Sequence, residues 1–350
     1  MKKIVIVGGG VAGKSLASHL IKSKAPAEIA LVDPKEYFEV PYAQLRALVL
    51  PESFGPKIRK SYRDLLPEVN HIQGKAVGLS DTAVELEGGV TVPMDYLVLA
   101  TGSSFKQWEL LKGREISLAE RQASFVAEGK RLAAAASILV IGGGPIGVEF
   151  AGDVAAKYRE KKVILAHSGA RLLDSLSTKM SRRAEKVLTG LGVELHLNSY
   201  VTQSSPGIWT SKSGQQFSAD LVYLAVGIDV NGEWIGKESG IAKTDRHAVQ
   251  VDAYLRVPGR PNIFAIGDLN DVPEIKMGAF ADKQAKLTAK NLIALLNDPN
   301  ATLKAYKPSA PMSMVTIGMK KGAVQLPFGH PHFLISMKQK DLFAARTLGG

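Results

Sequence analysis

Two glycine patterns are the residues of this chain best placed to do chemistry: Gly8-x-Gly10-x-x-Gly13 and Gly142-x-Gly144-x-x-Gly147. In such a loop the first glycine permits a tight turn out of a strand, and the second lets a pyrophosphate approach the backbone. The third lets the following helix pack on that strand. The helix N-terminus then faces the phosphates with its partial positive charge. Gly9, Val11 and Ala12 complete the first loop, and Pro145 and Ile146 the second. A carboxylate at the end of the next strand, about 20 residues on, takes the adenosine ribose. In the first repeat that strand, AEIALVD, ends on Asp33. In the second the same count lands on His167, at the end of KKVILAH, with Ser168 and Arg171 behind it. A hydroxyl and a guanidinium accept a 2′-phosphate that an acid repels, so the second site is expected to take NADPH as well as NADH. The alternative is that Arg171 points to solvent.

Three further stretches support dinucleotide chemistry. YLVLATG ends on Ala100-Thr101-Gly102 and LVYLAVG on Gly227, each reading as a strand that closes in a small-residue turn. NIFAIGD sets Gly267 and Asp268 after an apolar strand, where Asp268 is placed to accept from flavin ribityl hydroxyls; alone, such an ending is a plain turn. A competing motif overlaps the first loop, because Gly8 to Ser15 reads GGGVAGKS and fits the phosphate-loop pattern of nucleotide hydrolases. That reading assigns Lys14 to phosphates and Ser15 to magnesium. It leaves Asp33, the second glycine pattern and Gly267-Asp268 without a role.

The elements that must position these residues are two copies of strand, turn and helix, KIVIVGGGVAGKSLASHL and SILVIGGGPIGVEFAGDV. At 350 residues the chain fits two or three domains, with sites buried between them. It has no cysteine, which excludes disulfides, cysteine-bound zinc, iron–sulfur clusters and a redox-active dithiol. The formal charge of +11 is scattered along the chain without a nucleic-acid reading motif, so no nucleic-acid partner is expected. No apolar run is long enough to span a bilayer: the best candidate, Leu132 to Val148, is broken by Gly142, Gly143, Gly144 and Pro145. Met1-Lys2-Lys3 leads directly into a strand without a signal-peptide pattern, and Lys2 rules out N-myristoylation. The expected location is cytoplasmic, with peripheral contact to a membrane surface. His330 and His332 flank a proline without a third ligand, so no metal is expected.

These residues carry a resemblance. VDPKEYFEVPYAQLRALV at 32 to 49, IGGGPIGVEFAGD at 141 to 153, NIFAIGDLNDVPEIKMG at 262 to 278 and KQKDLF at 338 to 343 resemble the apoptosis-inducing-factor-like flavoproteins, in their ferroptosis suppressor branch and its plant-like members. The resemblance covers nearly the whole chain. It implies an α/β, glutathione-reductase-like fold with two Rossmann-type dinucleotide-binding domains. The FAD domain would comprise residues 1–105 and 246–306, the NAD(P)H domain 106–245, and a C-terminal segment 307–350. It implies an FAD-containing NAD(P)H:quinone oxidoreductase. Carried over by position, it implies flavin contacts at Arg46 and Val77 and a ribityl contact at Asp268. Glu149 would orient the nicotinamide amide, and Lys338 would stabilise charge on the reduced flavin or on a quinone oxygen. Arg46 stands in the region where disulfide reductases carry their cysteine pair, which implies direct electron transfer. The plain alternatives are that Glu149 is a first-turn helix acid and Lys338 a surface charge beside Asp341. The tail from Pro311 to Gly350 either lines a quinone pocket, rests on a bilayer, or forms a β-hairpin capping the core.

Rival readings keep the flavin but change the acceptor to monodehydroascorbate or an acidic electron-carrier protein, which the positive charge would suit. Others change the class, to a phosphate-loop hydrolase or to a flavin-binding sensor responsive to NAD(P)H. Oligomeric state is left open by the residues.

Overall fold

The computed structural model describes residues 1–105 and 107–349; Lys106, the expected first residue of the second domain, and Gly350 lie outside the described residues. The β-branched run Lys2–Val7 forms the central strand of a six-stranded sheet. Ile4 and Ile6 enter one core cluster and Val5 and Val7 another, the two-residue alternation of a strand buried on both faces. Its order is Arg256–Val257, Arg260–Ala265, Tyr96–Leu99, Lys2–Val7, Ala27–Asp33, Asn70–Gln73. Only the edge pairing of the first two is antiparallel. A second, four-stranded parallel sheet runs Glu194–His196, Lys162–Ala166, Ser137–Ile141, Leu221–Leu224. The first sheet is therefore completed by Arg260–Ala265 only after the whole second sheet has intervened in sequence.

The two glycine repeats have the same backbone. The Gly8 N–H donates to Val32 O and the Gly142 N–H to Ala166 O, both at 2.8 Å. Helices Val11–Lys22 and Pro145–Lys157 then run back across their own strands. A Cβ on Gly13 would lie 1.9 Å from Gly8 O, and one on Gly147 would lie 1.9 Å from Gly142 O. Contacts that short are forbidden, so the helix crossing admits nothing larger than glycine. The second helix packs Phe150 against Trp108 and Tyr223, with ring centroids 4.8 and 4.7 Å away.

The C-terminal segment is a hairpin, Ser313–Ile317 with Lys321–Gln325, followed by short helices Ile335–Gln339 and Ala344–Thr347. The hairpin caps the second dinucleotide helix, as one of the sequence alternatives has it. It comes so close that a Cβ on Gly152 would lie 2.8 Å from both Gly318 N and Ile317 Cγ2. Among the described residues no helix is long and apolar enough to cross a membrane.

Replacing Gly13 or Gly147 with alanine should destabilise the fold by about 1–3 kcal/mol or more through overpacking. Both variants should show lowered midpoints of chemical denaturation. Gly10→Ala, where a Cβ meets nothing within 4 Å, is the control and should leave the midpoint close to that of the wild type.

Candidate active site

In the first loop the Gly9 N–H donates to Asp33 Oδ2 at 2.6 Å and the Lys35 N–H to Oδ1 at 2.9 Å. Burial pushes the Asp33 carboxyl up, and these two backbone donors pull against it. Tyr62, which no sequence motif marks, donates its hydroxyl to Gly9 O at 2.9 Å and packs on His71, with ring centroids 4.7 Å apart. Gly267 comes to the same loop: a Cβ there would lie 2.9 Å from that of Ala12. Asp268 Oδ2 accepts from Ser103 Oγ at 2.6 Å and faces Lys112 Nζ at 3.3 Å. Thr101 and Gly102 are held by Asn231, through Thr101 Oγ1 to Asn231 O at 2.7 Å and Asn231 N to Gly102 O at 2.9 Å. Val77 stands half exposed on the separate strand Ala76–Leu79.

The second loop repeats the arrangement with different chemistry. The Gly143 N–H donates to His167 Nδ1 at 3.1 Å. Gly227 turns the chain at φ 67° just after Ala225 and Val226, which lie against Gly142. Arg171, expected to face a 2′-phosphate, is instead bound within its own loop, to Leu176 O at 2.9 Å and Asp174 O at 2.6 Å.

Both loops fit a bound dinucleotide. Neither helix has a side-chain N-cap or an acid in its first turn. Their first N–H groups therefore lack side-chain acceptors and suit phosphate oxygens. A Cβ on Gly10 or Gly144 would meet nothing within 4 Å, so the backbone there is open to approach. Lys14 does not face this opening in the manner of a phosphate-loop lysine; its Nζ donates to Thr347 O at 2.6 Å.

Against the second dinucleotide helix lie two buried charge pairs. Arg46, on helix Gln44–Val49, donates from Nε to Asp153 Oδ2 at 2.6 Å and from Nη2 to Asp153 Oδ1 at 3.0 Å. Nη2 also reaches Gly318 O at 3.1 Å and Gln339 Oε1 at 3.0 Å. The residue expected to touch flavin thus has its guanidinium bonded to protein. One helical turn before Asp153, Glu149 Oε1 accepts from Thr316 N at 2.8 Å, Thr316 Oγ1 at 2.9 Å and Lys338 Nζ at 2.8 Å. Lys338 also donates to Met314 O at 2.6 Å. Neither plain alternative holds: Glu149 lies beyond the first turn of its helix, and Lys338 is buried. Asp153 was missed by the sequence reading, although its place four residues after Glu149 on the same helix face was a signal; Gln339 and Thr316 carried none. Burial pushes the Asp153 carboxyl up to about 6 against the pull of Arg46, which leaves it ionised at neutral pH.

His330 and His332 are engaged in loop contacts, with His330 Nε2 2.7 Å from Ser177 Oγ and His332 Nδ1 accepting from Val324 N at 3.0 Å.

The sequence profile of the pyridine nucleotide-disulphide oxidoreductase family matches residues 2–285. Ferroptosis suppressor protein 1 of Xenopus tropicalis is 32% identical, over 99% of this chain and 94% of the relative. The Homo sapiens protein of the same name is 32% identical over 98% and 94%. Apoptosis-inducing factor homolog A of Dictyostelium discoideum is 30% identical over 93% and 85%. Among solved structures, the sulfide:quinone oxidoreductase of Aquifex aeolicus superposes with a TM-score of 0.78 at 19% identity, covering 99% of this chain and 92% of that one. A ferredoxin reductase from Rhodopseudomonas palustris gives 0.74 at 21%, over 91% and 80%. These two likenesses establish the fold.

Arg46→Ala should cost about 3–5 kcal/mol, because it strands a buried carboxylate. The folded state holds the Asp153 proton up to about pH 6, whereas a carboxyl at its ordinary 3.8 has already released it. Its contribution to stability is therefore full below the lower value and is lost as pH rises through the upper one. Denaturant unfolding at stepped pH should show the stability of the wild type relative to Asp153→Asn falling between these values and level above them.

Proposed function

The chain belongs to the pyridine nucleotide-disulphide oxidoreductase family and, within it, groups with the ferroptosis suppressor and apoptosis-inducing-factor proteins; from that premise we propose that it carries electrons from NAD(P)H through FAD to a lipid-soluble quinone. It is an FAD-dependent oxidoreductase of α/β fold. With no cysteine it has no dithiol to relay electrons, so the acceptor is reduced without a protein disulfide. Bound FAD supplies hydride acceptance from the nicotinamide and onward electron transfer.

The chain's own residues provide binding, orientation and charge. The loop Gly8 to Gly13, with Asp33 and Asp268, holds FAD, and the loop Gly142 to Gly147 holds NAD(P)H. The observation that carries the reading is the buried Glu149–Lys338 pair at 2.8 Å. Glu149 accepts from donors of the C-terminal hairpin and sits on the second turn of the nicotinamide-site helix, where a carboxylate orients an amide. Lys338 Nζ holds a positive charge and a transferable proton where an acceptor oxygen gains negative charge, in a water-poor setting that strengthens the interaction.

The short helix that carries Lys338 inward also faces outward. Met337 is 61% exposed, Phe333 77% and Phe328 81%, the most exposed large apolar side chains of the described residues after Met1. Lys320, Lys321 and Lys340 are exposed or half-buried in the same segment. Bulky apolar groups among cations suit the interface of an anionic bilayer. That contact would bring a lipid-borne quinone to the segment holding Lys338.

Anaerobic titration of the purified protein with NADPH or NADH should bleach its flavin bands, and a soluble quinone should restore them; bleaching without return removes the quinone. Lys338→Met should lower kcat with quinone by about 10²-fold while flavin content stays unchanged. Sedimentation with anionic vesicles should fall sharply in a Phe328→Ser, Phe333→Ser, Met337→Ser variant, and an unchanged pellet would remove the membrane contact.

A further inference from the structure

The strand that should end in a ribose-binding acid is followed directly by His167, whose Nδ1 accepts the Gly143 N–H just as Asp33 accepts that of Gly9. A ring nitrogen that accepts carries no proton, so the neutral imidazole has its proton on Nε2, which is buried and has no hydrogen-bond partner. The loop after His167 brings a carboxylate to this point. The Leu173 N–H donates to Gly143 O at 2.8 Å, fastening the loop to the glycine turn itself. Leu173 adopts φ 52°, a left-handed conformation that reverses the chain there. Arg171 clamps the reversal by binding the carbonyls of Asp174 and Leu176. As a result Asp174 Oδ2 stands 3.7 Å from His167 Nε2, with its side chain 60% exposed. Gly169 lies alongside; a Cβ there would sit 2.8 Å from Nε2 and 3.3 Å from Oδ2.

We infer that Asp174 supplies the ribose-binding carboxylate missing from the strand end and makes the second nucleotide site prefer the unphosphorylated dinucleotide. The inference rests on the nicotinamide site proposed above. An exposed carboxylate beside the glycine turn accepts from ribose hydroxyls. It repels a 2′-phosphate, which carries close to two negative charges at neutral pH. The guanidinium that would have offset this repulsion is bonded to carbonyls on its own loop. The preference is therefore the reverse of the tolerance for NADPH that Ser168 and Arg171 suggest in the sequence.

The test is equilibrium binding of NAD⁺ and NADP⁺ to the oxidised, FAD-loaded protein by calorimetry, which needs no turnover. The wild type should bind NAD⁺ more tightly. Asp174→Asn should lower the ratio of the two affinities by about ten- to hundredfold, the loss of one charge-assisted hydrogen bond. Asp174→Glu should keep the preference. A ratio unchanged in Asp174→Asn, or a wild type that favours NADP⁺, overturns the inference and leaves the nicotinamide site standing. Failure of the FAD-loaded wild type to bind either dinucleotide overturns both.

Discussion

Everything at the centre of this molecule depends on one ion pair, the bidentate contact of Arg46 with Asp153. Both side chains are almost wholly removed from water, and desolvating two such charges costs several kcal/mol per ion. Their attraction is helped to offset that cost by two further acceptors at Nη2, Gly318 O and Gln339 Oε1. The satisfaction of one guanidinium thus requires the helix Gln44–Val49, the second dinucleotide helix, the hairpin turn and the Lys338 helix to be in place together. Asp153 and Glu149 lie one turn apart on a single helix, and Gln339 adjoins Lys338. The pair that holds the segments together and the pair proposed to act on electrons therefore share a rigid frame.

Much of the fold was legible because it is local. Each strand, glycine turn and helix is contiguous in sequence, and the steric demand at Gly13 and Gly147 leaves its mark as an obligatory residue type. Asp33 was legible for the same reason, being the last residue of the strand after the first helix. The roles of Arg46 and Arg171 were not. A guanidinium has several equivalent donors and takes whichever acceptors the folded chain presents. For Arg46 those acceptors come from residues 153, 318 and 339. For Arg171 they come from carbonyls, which have no side-chain identity to read.

Comparison of the two repeats separates what the backbone dictates from what the side chain does. The N–H of the residue after the first glycine, Gly9 or Gly143, meets the strand-end side chain in both copies, whether the acceptor is a carboxylate or an imidazole. The turn thus fixes where an acceptor must be and is indifferent to its charge. In the first copy the acid is built in; in the second a loop can bring one from seven residues beyond His167.

The bond from Lys14 to Thr347 O spans 333 residues, and the hydroxyl of Tyr42 reaches the Thr347 side chain as well. During synthesis the helix bearing Lys14 leaves the ribosome long before its partner exists. Both sheets can assemble from residues already made, yet Arg46 must wait for residues 318 and 339, and Lys14 for residue 347. High contact order of this kind slows the last stage of folding. Until the C-terminal segment has closed, the first dinucleotide helix and Tyr42 lack the partner that Thr347 gives them, so the two ends of the chain are secured to each other last.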